Sequence, residues 1–142
     1  MSFQDLNGTF VLDSDKSDNM EAFLEAVGVG WIKRKAIAAL SQTLVITATE
    51  ESVTIVTKTT MADNTTTIPI GAEPVTLDDL SGNPAKYTAR YEGATLIVES
   101  TNDVGTITIK RTVVGSVLET AIGFVSANGA TKIDINRYFN KQ

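Results

Sequence analysis

Residues 17–40 read SDNMEAFLEAVGVGWIKRKAIAAL, and this stretch decides how the rest of the chain is taken. Ser17 offers a hydroxyl for an N-cap, and Asp18 and Glu21 suit the positive end of a first helical turn. Met20, Phe23, Leu24 and Val27 then fall at helical spacing. Gly28-Val29-Gly30 breaks that helix, and residues 31–40 supply a second of about three turns. The second helix carries few strongly apolar positions, so it must lie on another surface to be stable.

Everything around this pair reads as strand. The chain holds 20 threonines, set among Val and Ile as β-branched strand formers are. Strands are predicted at 9–12, 44–49, 52–60, 64–70, 74–77, 86–92, 95–100, 106–113, 117–126 and 131–139. Turn signals separate them at Glu50-Glu51, Glu92-Gly93, Gly115-Ser116 and Asn128-Gly129. The gaps are too short for parallel crossovers, so the pairing is a meander. The reading is an all-β antiparallel barrel or sandwich with a helix-turn-helix between its first two strands. Alternation leaves one question open. Thr106-Ile-Thr-Ile-Lys110 puts Thr on one face and Ile on the other. A Thr face suits either a wet cavity or an outer surface.

Composition excludes much. At 142 residues the chain fits one domain, 1–142, with a lid at about 17–40. With no His and no Cys there is no imidazole base, thiol nucleophile, disulfide or ordinary zinc site. A net charge of −5 argues against nucleic acid as a partner. Residues 13–24 begin like a calcium loop but have Asp18 and Leu24 where Gly and Glu are required. Gly28-Val29-Gly30 lacks the rest of a dinucleotide fingerprint. We expect no catalytic residues, no metal and no cofactor. The opening residues lack a basic and then apolar leader, which predicts a cytoplasmic protein.

Motifs along the whole chain resemble the intracellular lipid-binding proteins, which include the fatty-acid-binding and cellular retinoid-binding proteins. Gly8-Thr9-Phe10 is similar to the opening Gly-Thr-Trp, and Gly28-Val29-Gly30-Trp31 with Arg34-Lys35 to the helical lid. Thr57 to Ile70-Gly71 keeps the spacing from strand three to strand four, and Arg137-Tyr138-Phe139-Asn140-Lys141 is similar to the terminal Arg-x-Tyr-x-Lys. The resemblance implies a ten-stranded antiparallel β-clam, or up-and-down barrel, capped by the two helices. It implies a monomeric intracellular carrier that holds a long-chain fatty acid or similar hydrophobic ligand in an internal cavity. The alternative is a barrel that works as an interaction module, its cavity vestigial or filled.

Carried over residue by residue, the resemblance places a ligand head group on Arg137 and on a second cation of the eighth strand. That cation is Lys110 if the turn at Gly115 sets the register, or Arg111 if side-chain chemistry does. The turn favours Lys110. Phe139 stands where the family has Tyr, so one hydroxyl is missing from the clamp. Met20, Trp31, Ile37, Met61 and Thr57 are expected along the portal and tail. Lys33-Arg34-Lys35 is the only basic run in an acidic chain, and it suits transient contact with an anionic membrane.

Overall fold

The β-branched runs pair into one sheet of ten antiparallel strands. They are β1 (Gly8–Leu12), β2 (Thr43–Ala48), β3 (Ser52–Lys58), β4 (Asp63–Pro69) and β5 (Val75–Asp78), followed by β6 (Pro84–Glu92), β7 (Thr95–Thr101), β8 (Gly105–Val114), β9 (Val117–Ser126) and β10 (Lys132–Lys141). The computed structural model describes residues 2–142. Strand order is β4-β3-β2-β1-β10-β9-β8-β7-β6-β5. Strands adjacent in sequence pair with each other except β4 and β5, and the β1–β10 ladder, with Leu12 opposite Phe139, joins the two ends of the chain. β4 and β5 are the ends of this order, and an isolated bridge from Ile70 to Ala89 ties the end of β4 to β6. The result is a nearly closed barrel, the meander that the sequence predicts.

Two helices, α1 (Glu21–Ala26) and α2 (Trp31–Ala38), lie between β1 and β2, as expected. Ser17 is not the N-cap, however. Met20 holds that position without a side-chain bond, and the Asn19 side-chain oxygen one residue earlier accepts from the Glu21 N–H at 2.7 Å. Ser17 instead extends the ladder along β10, where its hydroxyl accepts from the Tyr138 N–H at 2.9 Å. The Gly28 break is a Schellman turn. Gly28 adopts φ +94°, the Val29 N–H reaches the Leu24 carbonyl and the Gly28 N–H the Glu25 carbonyl.

Two apolar clusters fill the interior. One gathers Phe10, Ile46, Val53, Leu96, Leu118 and Phe139 from the strands. The other sets Met20, Phe23 and Leu24 of the lid segment against Ile122, Phe124 and Ile135 of β9 and β10. Helix α2 has no buried residue of its own, so the lid is anchored mainly through α1.

Candidate functional site

Between the two clusters lies a cavity of about 230 Å³. Its apolar walls come from Leu44, Ile55, Ile68, Val98, Ile109 and Ile122, with Met20 and Phe23 of the lid segment across them. At one place the wall is basic. The register of three neighbouring strands puts Arg111 of β8 opposite Thr120 of β9, and Thr120 opposite Arg137 of β10. All three line the cavity, together with Phe139.

The second cation is therefore Arg111, and the expectation of Lys110 is corrected. Lys110 is exposed, among the outward residues of β8 and β9. The hairpin at Gly115-Ser116 is tight, with Val114 opposite Val117 and Gly115 at φ +64°. Such a turn fixes which residues pair, but not which face they show. The face follows the apolar parity of Ile107, Ile109 and the buried Val113, which Arg111 shares. The same parity answers the open question about Thr106-Ile-Thr-Ile-Lys110: the Thr face is outside.

Arg111 is an uncomfortable residue. Its guanidinium is enclosed, and its Nε has no hydrogen-bond partner among the described residues. The residue as a whole is half-buried. Burial pushes the guanidinium down to about 10. Arg137 is also held below its ordinary value by burial, an effect the Asp18 carboxylate partly offsets. One nitrogen of Arg137 donates to the Asp18 backbone carbonyl at 2.7 Å.

The expected portal residues divide. Met20 and Thr57 line the cavity. Ile37 packs against the lid cluster instead. Trp31 is 64% exposed and Met61 69% exposed, so both face outward and away from the cavity lining. The basic run is partly used within the lid. Arg34 keeps only 13% of its side-chain exposure, donates to the Val29 carbonyl at 3.2 Å and lies 3.5 Å from Glu25, while Lys35 pairs with Glu21. Lys33 reaches across to the Leu80 carbonyl in the β5–β6 turn at 2.9 Å. Sequence reasoning missed Thr120, Asn64, Thr66 and the acidic pair Asp78 and Asp79, which also line the cavity. Period-two parity along β4 was the available signal for Asn64 and Thr66, and the adjacent Asp78 and Asp79 offered none. No group of acidic residues that could hold a metal occurs among the described residues.

No protein-family model matches the chain. A fatty acid-binding protein of Tyrophagus putrescentiae is 29% identical over 106 residues, which is 75% of this chain and 79% of that protein. Among solved structures, the fatty acid-binding protein of Drosophila melanogaster brain tissue superposes with a TM-score of 0.79 at 25% identity, over 93% of this chain and 95% of that one. The chain is thus similar in sequence and in fold to fatty-acid-binding proteins. The Schistosoma mansoni fatty acid binding protein solved with arachidonic acid shares the fold at a TM-score of 0.85 and 20% identity, over 100% and 99% of the two chains. Within this barrel, Arg111 and Arg137 flank Thr120 on the inward face.

Proposed function

We propose that this chain is a non-catalytic carrier that takes a long-chain fatty acid, or a similar apolar ligand, into its barrel. In this reading it works as a monomer in the cytoplasm. The observation that carries it is Arg111: an enclosed guanidinium whose Nε has no partner among the described residues, on the wall of a largely apolar cavity. A lone buried cation costs several kcal/mol, so the interior calls for an anion. A carboxylate answers that charge, and its tail adds roughly 0.8 kcal/mol for each buried CH₂. The likeness to fatty-acid-binding proteins supports the same ligand class. A filled or vestigial cavity suits neither the open interior nor two inward arginines.

Displacement of a fluorescent fatty acid from delipidated protein tests the proposal. Saturable, one-to-one displacement by oleate is expected. Absence of binding by protein whose circular dichroism is intact overturns it.

Contact with an anionic membrane is a second part of the reading, supported by the exposed start of α2. Ile32 is 79% exposed beside Trp31, with Lys33 next in the chain. An apolar pair flanked by a cation suits the interfacial layer of a bilayer. Transfer to acidic vesicles should quicken as vesicle concentration rises. A rate independent of vesicle concentration speaks for release into water first.

A further inference from the structure

The head-group end of the cavity contains a hydroxyl with nothing to bond. Thr120 is 3% exposed and lines the cavity, and its Oγ1 has no hydrogen-bond partner among the described residues. A buried polar atom left unmade is unfavourable and calls for an explanation. The register supplies one, because Thr120 is directly opposite both Arg111 and Arg137. Opposite residues in an antiparallel sheet have Cβ atoms about 5 Å apart, so Thr120 stands on the strand between the two arginines, directly across from each. The Nε of Arg111, its partner across the ladder, is orphaned as well. Phe139, the next inward residue after Arg137 on β10, has no polar atom to offer.

We infer that Thr120 is a head-group ligand and the specificity-determining residue of the cavity, donating its hydroxyl to one oxygen of a carboxylate whose other oxygen meets Arg111 Nε. This assignment rests on the carrier reading and sharpens it to a ligand class. The head must be anionic, and a carboxylate offers one acceptor oxygen to each orphaned donor. A fatty alcohol can accept from both donors through its one oxygen, but it brings no charge to the two arginines. A methyl ester lacks the charge that the two arginines face. Hydroxyl-to-carboxylate bonds are among the stronger ones, since the acceptor is ionised.

The test compares oleate with methyl oleate on three forms of the full chain. Thr120→Val removes the hydroxyl and keeps the shape. We expect it to weaken oleate about tenfold, close to 1.4 kcal/mol, and to leave methyl oleate within twofold. Thr120→Ser, which keeps the hydroxyl, should restore oleate binding. The ¹³C shift of carboxyl-labelled oleate should move in Thr120→Val and not in Thr120→Ser. Equal affinities for oleate in the wild type and Thr120→Val, or equal losses for acid and ester, overturn the assignment. Should Thr120→Val fail to fold, Thr120→Ala is compared with Thr120→Ser by the same acid-to-ester ratio, and an unchanged ratio again overturns it. Failure of the wild type to bind either ligand would instead refute the carrier reading itself.

Discussion

Arg137 of β10 donates to the backbone carbonyl of Asp18 at 2.7 Å, linking the cation that lines the cavity to the strap that leads into the lid. The contact is one of several in that strap. The Asp18 N–H donates to the Asn136 carbonyl at 2.9 Å, and the Asn136 N–H donates to the Asp18 carboxylate at 2.7 Å. Residues 17 and 18 thus continue the β10 ladder where β1 has ended. A guanidinium has five donors, so Arg137 can hold the strap and a ligand together.

Replacing Arg137 should therefore act on both. Arg137→Met is expected to weaken oleate by about 10- to 100-fold, as loss of a bond to a charged group costs about 1.5–3 kcal/mol. It should also speed amide exchange in residues 17–20. Fluorescence displacement and hydrogen exchange measure the two effects. Unchanged exchange in the strap would show that the Asp18 contact carries no load.

Arg111→Met makes the opposite trade. Burial lowers Arg111 to about 10, well below the ordinary guanidinium value, so the folded state disfavours its charge. The unfolded chain then holds the proton more tightly, and the deficit is fully present below about pH 10. It shrinks only as pH rises from there. At pH 7 the apolar side chain should stabilise the ligand-free protein by about 1–3 kcal/mol, or several degrees in Tm. Oleate affinity should fall at the same time. A lower Tm by calorimetry would mean that an acceptor already satisfies Arg111.

The strands and helix pair were legible because their signals are local: Val, Ile and Thr runs cut by turn residues, and one stretch with helical spacing. Which cation faces inward was also legible, in the shared parity of Ile107, Ile109, Arg111 and Val113. Reading the Gly115 turn alone concealed it, since a turn determines pairing and leaves the face to burial. Thr120 was not legible. It is one of 20 threonines, and its distinction is an unbonded hydroxyl that only the folded barrel creates. Ser17 misled for a related reason: a serine hydroxyl serves a helix cap and a strand ladder equally well.

Arg34 offers a test of the lid. Its guanidinium sits between the helices, bonded to the Val29 carbonyl and close to Glu25 and Glu21. Removing it in Arg34→Ala should loosen α2 from α1 by roughly 1 kcal/mol, discounted for partial exposure of its acidic partners. The barrel's ladders do not pass through it, so Tm should move little. Ligand release, followed by stopped flow, should quicken several-fold. An unchanged release rate would place the exit route elsewhere.

Asp79 lies in the turn after β5, next to the Leu80 carbonyl that Lys33 of the lid reaches, and it gives the protein an acid-sensitive joint. Burial alone would raise its carboxyl, but hydrogen bonds outweigh that and hold it below the ordinary value. They come from the Ser81 hydroxyl at 2.6 Å, the Asn83 N–H at 3.0 Å, Asn102 Nδ2 at 2.8 Å and the Ser81 N–H at 2.9 Å. A carboxyl depressed in the folded state contributes stability above its unfolded value of 3.8, and that contribution is lost as pH falls through the lower folded value. Asp79→Asn keeps one acceptor but turns an amide towards Asn102, so at pH 7 it should cost on the order of 1 kcal/mol after solvent screening. Denaturant melts of both proteins should converge as pH falls through the lowered folded value, where the wild-type carboxyl is also protonated. A gap that stays constant from pH 7 down to the acid unfolding of the wild type would assign the cost to packing and leave the charge of Asp79 without a role.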